Sequence, residues 1–387
     1  MRIAIFGGSF NPPHLGHLAA ARAVLEELSP DKLIIVPANI PPHKAMEEGS
    51  PGAEERLTLC RLNFASLPDT EVSDIELRRE GKSYSADTLD ELMTLYPGAE
   101  FTFVLGTDML LTFEEWYRYR FLLENLTLAV LARSEGDETE ILAHAEYLRR
   151  VYGAKIVFIR REPTPMASTD IRGLLCRRSG ASCLDDAVYS RIVRVRDYDT
   201  QVELYWLREK AYAMLKPNRV AHVAGVESEA VNLARRWGED PERAAEAGIL
   251  HDITKKLSLE EQLILCDKYG IINDNAEKEN VKLLHAKTGA ALARDLFGVS
   301  DAVYDAIRWH TTGKPDMTLL EKIIYLADYI EPNREFPGLE ELRAKTYENI
   351  DSAMALGLEM SLEDIRSYGQ EPHAVTAEAY AWYSRKE

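Results

Sequence analysis

A chain of 387 residues with 46 % hydrophobic side chains is long for one domain and can bury two cores. Its formal net charge of −18, shared by both halves, excludes a protein that grips nucleic-acid backbone by surface charge. Four cysteines without a CxxC pair, and no apolar run near the ~20 residues of a membrane span, point to reduced thiols in a cytosolic protein away from membranes. The opening MRIAIFGG reads as a strand start and not as a signal peptide, because glycine ends its short apolar run.

In chain order, RIAIF is an apolar run of the kind buried on both faces of a parallel sheet, and HLAAARAVLEEL after it is helical. KLIIVPA reads as a strand, ERLTLCRLNFASL as a helix and EVSDIEL as an alternating strand. SADTLDELMTLY reads as a helix with Ser85 as N-cap; FTFVLG, LTLAVLA and AKIVFI read as strands. Strands alternating with helices predict a doubly wound α/β domain with a parallel sheet, whose ligands collect beyond the carboxyl ends of the strands.

Between Asp185 and Gln201 the alternation stops, and the lack of a Gly/Ser-rich tract predicts a short packed connection. The expected domains are residues 1–197 and 198–387. The second reads as an all-α bundle: RVAHVAGVESEAVNLARRW, DPERAAEAGILHDI, SLEEQLILCDKYG, NVKLLHAKTGAALARDLFG, SDAVYDAIRWH and LLEKIIYLADYI are amphipathic. Asp240-Pro241 is a helix start, and Gly238 and Gly298 are helix stops.

GGSFNPPHLGH, Gly7 to His17, joins the first strand to the first helix. It has neither the GxGxxG spacing of a dinucleotide fold nor the GxxxxGK[ST] of a P-loop. What it offers is a glycine turn that lets backbone approach a phosphate, a helix N-terminus that favours anions, and two imidazoles one helical turn apart. The stretch resembles the (H/T)xGH signature of the nucleotidylyltransferase superfamily. VPANIPPHK, YSADTL, FVLGTDML, EEWYRY and ASTDIR follow in the order found in bacterial nicotinate-mononucleotide adenylyltransferase, and the resemblance covers about residues 1–195. Asn11, Ser85 and Ala167 stand where that family often has Asp, Thr and Ser.

The resemblance implies attack by the phosphate of nicotinate mononucleotide on the α-phosphorus of ATP, with pyrophosphate leaving. Such a nucleophile is already ionised, so alignment and charge stabilisation carry the catalysis. His14, His17, Lys44 and Arg172 are then the catalytic candidates, with Gly7, Gly8, Ser9, Phe10, Asp108, Ser168 and Thr169 binding ATP. Ser85, Thr88 and Trp116 bind nicotinate mononucleotide, and Mg²⁺ rides on the triphosphate because no carboxylate cluster is there to hold it.

In the second half His222, His251, His285 and His310 fall in separate predicted helices, Asp252 follows His251, and Asp328 stands among Ile, Leu and Tyr. A carboxylate in such surroundings is costly unless paired or metal-bound, and ligands on several helices point to a metal. His144 and His373 have no partner in this pattern. The order His…HisAsp…His…His…Asp is that of HD-domain phosphohydrolases. RVAHVAGV, GILHDITKKLS, LLHAKTGA, IRWHTTG and YLADYIEPNREFPGL resemble the bacterial HD family that hydrolyses diadenosine tetraphosphate to two ADP, over about residues 200–387.

That resemblance implies one ion on His222, His251, Asp252 and Asp328, with Asp252 bridging to a second on His285 and His310. Iron is the expected ion, with manganese, cobalt or zinc as alternatives, since the ligand types do not choose among them. Lys255, Asn333 and Arg334 would meet substrate phosphate, and Glu331 would help complete the pocket. The whole reads as a bifunctional enzyme acting on ATP, nicotinate mononucleotide and diadenosine tetraphosphate, and a homo-oligomer is compatible with it. Two alternatives stay open for the second half: hydrolysis of another nucleotide phosphoester, or a nucleotide-binding module that regulates the transferase.

Overall fold

The computed structural model describes residues 1–42, 46–133, 138–161, 166–272, 274–278 and 280–385, and the chain divides into two units, Met1–Gln201 and Val202–Glu387. The first holds six parallel strands: β1 (Arg2–Gly8), β2 (Lys32–Pro37), β3 (Thr70–Val72), β4 (Glu100–Gly106), β5 (Leu126–Arg133) and β6 (Lys155–Arg161). Their order is β3-β2-β1-β4-β5-β6. Its helices are α1 (Leu15–Leu28), α2 (Ala53–Phe64), α3 (Ser85–Leu95), α4 (Thr107–Leu111), α5 (Tyr119–Asn125), α6 (Glu138–Tyr152), α7 (Ser168–Leu175) and α8 (Asp186–Val195).

Alternation along the strands feeds two cores. Ile3, Ile5, Ile34, Val36 and Phe103 pack with α3 to α6 on one face, while Ala4, Phe6, Leu33, Ile35 and Val104 pack with α1 and α2 on the other. The order reverses between β1 and β4, so the crevice where such sheets bind ligands opens at Gly7–Gly8 and Gly106. Two local expectations are corrected. EVSDIEL is a strand only to Val72, because the Ser73 hydroxyl accepts the N–H of Ile75 (3.3 Å) and turns the chain. Ser85 is the first residue of α3 and not its cap, which is Tyr84 without a side-chain bond.

The second unit contains helices α9 (Leu204–Ala213), α10 (Val220–Trp237), α11 (Pro241–Leu250), α12 (Leu259–Lys268), α13 (Asn275–Lys278), α14 (Val281–Phe297), α15 (Asp301–Trp309), α16 (Leu319–Ile330), α17 (Leu339–Glu348), α18 (Ile350–Ser367) and α19 (Ala374–Tyr383). Asp240 caps α11 through the N–H groups of Glu242 and Arg243, and Gly238 and Gly298 end their helices at φ 84° and 56°. α16 is buried on nearly every side, as its sequence LLEKIIYLADYI requires. No helix among the described residues is long and apolar enough to cross a membrane.

Candidate active sites

In the first unit the ends of β1 and β4 and the start of α3 enclose a cleft of about 270 Å³. Gly7, Gly8, Ser9, Ser85, Thr88 and Trp116 line it, so six of the candidates meet there. The Trp116 indole is fixed by stacking on Phe113 (centroids 4.9 Å) and by the edge of Phe103 (5.8 Å). Thr88 is buried; its hydroxyl donates to Glu76 Oε1 (2.6 Å) and accepts from Arg79 (2.5 Å). Glu76, which the sequence reading passed over as part of a strand, is a buried carboxyl in the cleft wall whose pKa is raised by burial.

A second cluster lies around Asn11–Pro12. His14 Nδ1 accepts the N–H of Gly16 (3.1 Å) and His17 Nδ1 accepts the N–H of His14 (3.3 Å), so the two rings form a capping box for α1. Nitrogen that accepts there carries no proton, which leaves Nε2–H as the donor on both rings. The rings lie 3.8 Å apart, and a Cβ at Gly16 would fall 2.9 Å from the His14 ring. Phe10 is buried, its ring against Phe6, His17 and Phe64.

From α7, Ser168 donates to Pro12 O (3.0 Å) and Arg172 to Asn11 O (2.5 Å), while Arg172 also bonds Thr169 Oγ1 (3.1 Å) and Glu47 Oε2 (3.1 Å). Both hydroxyls are thus engaged within the protein. Besides Arg172, the anion donors that α7 offers are the backbone N–H groups of its first turn. Asp108 is exposed in the first turn of α4, its Oδ1 close over Gly106, where a Cβ would come within 2.6 Å. Lys44 and His43 lie outside the described residues.

In the second unit the six candidate ligands converge. Asp252 is fully buried, and its two oxygens face opposite ways: Oδ2 lies 3.5 Å from His251 Nε2 and 4.0 Å from His222 Nε2, while Oδ1 lies 3.2 Å from His285 Nε2 and 3.6 Å from His310 Nε2. Asp328 Oδ1 is 3.0 Å from His222 Nε2. His222, His251 and Asp328 form one group whose ligand atoms all lie within 4.8 Å of one another, and His251, Asp252 and His310 form a second. His222 Nε2, His251 Nε2 and Asp252 Oδ1 are buried without a hydrogen bond of acceptable geometry despite these short separations. That is how atoms lie when they share a cation and not a proton, so the residues fit divalent ions.

The rings are aimed from behind. His251 Nδ1 donates to Gly248 O (2.7 Å), His310 Nδ1 to Ile307 O (2.6 Å), and His222 Nδ1 meets Glu331 Oε1 (3.0 Å). His251 and His310 therefore stand just past the ends of α11 and α15, which corrects their expected place inside helices: each ring takes up a carbonyl of its own last turn. Glycines bring the elements close. A Cβ at Gly248 would lie 2.9 Å from Glu227 Cα, and one at Gly225 only 2.3 Å from Glu331 Oε2.

Burial alone would raise both carboxyls, yet Asp252 is held well below the usual carboxylate range by His251, His285 and His310, and Asp328 by His222, His251 and Arg334. Burial, with Lys255 beside it, pushes His285 down to about 4, which keeps its ring neutral. Three cations border the carboxylates: Arg219 Nε donates to Asp252 Oδ2 (2.7 Å), Arg334 Nη2 to Asp328 Oδ1 (2.6 Å), and Lys255 Nζ lies 3.7 Å from Asp252 Oδ1 and 3.0 Å from His285 Nε2. Arg219 had no signal in the sequence beyond its place one turn before His222. Asn333 Nδ2 bonds Glu331 Oε2 (2.9 Å) and Ala221 O (3.2 Å), so it braces Glu331. His373, left without a partner in the sequence, lies 3.0 Å from Asp274 Oδ2 and 3.8 Å from Glu277 Oε1, and Glu277 also pairs with Lys287 (2.5 Å).

Fold and site together define the class: a nucleotidyltransferase-type α/β domain and an HD-type helical domain in one chain. Residues 5–174 match the cytidylyltransferase-like family and residues 219–333 the HD domain. A "Probable nicotinate-nucleotide adenylyltransferase" of Carboxydothermus hydrogenoformans is 35% identical over 198 residues, 51% of this chain and 94% of its own length. A symmetrical bis(5'-nucleosyl)-tetraphosphatase of Bacillus subtilis is 38% identical over 182 residues, 45% of this chain and 96% of its own. A solved structure from Clostridium acetobutylicum, described as a "predicted HD superfamily hydrolase involved in NAD metabolism", is 37% identical over 47% of this chain and 96% of its own, with a TM-score of 0.46. The chain belongs to two enzyme families, that of the nicotinate-nucleotide adenylyltransferases in its first half and that of the symmetrical bis(5'-nucleosyl)-tetraphosphatases in its second.

Proposed function

We propose that the first unit transfers the adenylyl group of ATP to nicotinate mononucleotide, giving deamido-NAD and pyrophosphate, and that the second hydrolyses diadenosine tetraphosphate symmetrically to two ADP. For the first unit, the carrying observation is that two clusters of different character flank Ser9–Pro12: a cleft with a fixed indole, and a group of donors. The acceptor base stacks on Trp116, and its carboxylate meets the N–H groups at the start of α3, where Ser85 stands. His14 and His17 donate through Nε2–H to the triphosphate, which brings Mg²⁺ with it, and Arg172 and the first turn of α7 hold the leaving pyrophosphate. Lys44 is proposed as a further cation on these phosphates.

For the second unit, the carrying observation is Asp252, buried between two pairs of imidazoles with one oxygen toward each. His222, His251, Asp252 and Asp328 would hold one ion and Asp252, His285 and His310 another, with iron, manganese, cobalt or zinc all suited to such ligands. Bound there, the ions supply activation of water and neutralisation of phosphoryl charge. Arg219, Arg334 and Lys255 orient the polyphosphate around them, and Glu331 fixes the His222 ring.

Two incubations test the reading. With ATP, Mg²⁺ and nicotinate mononucleotide, the chain forms deamido-NAD and pyrophosphate; no transfer overturns the first assignment. Loaded with iron, manganese or cobalt, it converts diadenosine tetraphosphate to ADP alone. ATP plus AMP would mean attack at another phosphorus, and saturable binding without turnover would make the second half a regulatory module.

A further inference from the structure

Arg56, in α2, is the one lysine or arginine that is buried among the described residues, at 1 % exposure, and it makes no ion pair among them. Its Nη1 donates to Ser9 O (2.7 Å) and its Nη2 to Asn39 O (2.9 Å), while its Nε is buried without a hydrogen-bond partner. Ser9 lines the cleft and lies two residues before Asn11, whose carbonyl accepts from Arg172. Asn39 belongs to the loop after β2, on the acceptor side: its N–H donates to Ser83 Oγ (2.9 Å) and its Nδ2 to Arg79 O (3.0 Å), the latter beside Thr88. A planar fork joined to two carbonyls fixes the distance between them, which neither a single ammonium nor a neutral side chain does.

A buried ion without a counter-charge is costly, and burial accordingly lowers the pKa of this guanidinium. Two neutral carbonyls offset that cost only in part.

We propose that Arg56 is a positioning residue for adenylyl transfer: its guanidinium sets the spacing between the phosphate wall and the acceptor wall, and holds a fixed positive charge one peptide behind the phosphates. The proposal rests on the adenylyltransferase reading of the first unit. In-line transfer needs the reacting atoms about 3–3.5 Å apart, and a displacement near 1 Å costs on the order of 100-fold in rate.

Arg56→Lys keeps the charge and loses the fork; Arg56→Gln loses the charge as well. In the full chain, Arg56→Lys is expected to raise the KM for ATP and for nicotinate mononucleotide together and to lower kcat/KM about 100-fold, and Arg56→Gln to weaken ATP about tenfold further. Diadenosine tetraphosphate hydrolysis by the same molecules stays at the parental rate and counts intact chains. A change confined to one substrate, or kcat/KM within about threefold of the parent, overturns the proposal. If Arg56→Lys unfolds the first unit, Asn39→Ala carries the test, since it keeps both carbonyl bonds and removes only the link to Arg79: the acceptor KM must rise with the ATP KM unmoved, and equal effects on both overturn the proposal. If the parent chain itself transfers nothing to nicotinate mononucleotide, the functional reading fails separately. Arg56 is then judged by calorimetry with ATP, whose affinity must still fall about tenfold in Arg56→Lys.

Discussion

Around Asn11–Pro12 the first unit gathers helix N-termini, glycine turns and histidines that double as caps, whereas α10, α11, α14, α15 and α16 of the second bring buried imidazoles and carboxylates to one point. In the first, three candidate side chains spend hydrogen bonds on holding the loop: Ser168 on Pro12, Arg172 on Asn11, His17 on His14. In the second, Nε2 of His222 and of His251 is buried with no such bond. On the proposed reading the contrast follows from the chemistry. A polyphosphate brings its own charge, so backbone dipoles and a few donors suffice. A centre for cations must concentrate negative charge in a dry core, which neighbouring cations such as Arg219 and Arg334 make tolerable.

Substitutions at four positions test this difference. His251→Ala should have the largest effect, lowering diadenosine tetraphosphate hydrolysis by about 1,000-fold or more and reducing bound metal, with adenylyl transfer within about twofold of the parent. Product chromatography with metal analysis reads both, and loss of the two activities together would show that the sites are not independent.

His17→Ala should lower adenylyl-transfer kcat/KM about 100-fold and cost about 1 kcal/mol in the capping box. His17→Gln, which puts an ordinary capping-box residue at the third helical position, should recover the thermal midpoint and leave kcat/KM low. Recovery of activity with stability would mean that the cap is all His17 provides.

Glu331→Gln removes the carboxylate behind His222 and should weaken metal affinity about 10- to 100-fold, measured by competition with a chromogenic chelator. The smallest effect belongs to Trp116→Leu, where a KM for nicotinate mononucleotide raised about tenfold, with the ATP KM unchanged, is expected. A matching rise in the ATP KM would place the indole elsewhere in the reaction.

Much of this was legible because periodicity and motif agreed. The glycine turn between RIAIF and the first helix lines a cleft at a strand end, and His222, Asp252 and Asp328 fall in the close groups of side chains able to hold an ion. Arg56 was not legible, since in ERLTLCRL it looks like one more helix charge and only the fold reveals that its carbonyl partners come from two separate loops. Arg219 and Glu76 were missed for the same reason: their meaning lies in partners 33 and 12 residues away. The helix ends at His251 and His310 were hidden because apolar periodicity runs through them, and it is the ring-to-carbonyl bonds that mark where each helix stops.

Those two bonds also decide how the second site can vary. The acceptors behind His251 and His310 are peptide oxygens of Gly248 and Ile307, which exist whatever side chain occupies those positions. Point mutation cannot delete them. The acceptor behind His222 is a side chain, Glu331, itself braced by Asn333. Two imidazoles are therefore locked by the backbone, and one has a replaceable dial behind it. Of these three rings, the His222 imidazole alone has a side chain, Glu331, through which its basicity can be adjusted without touching the ring itself.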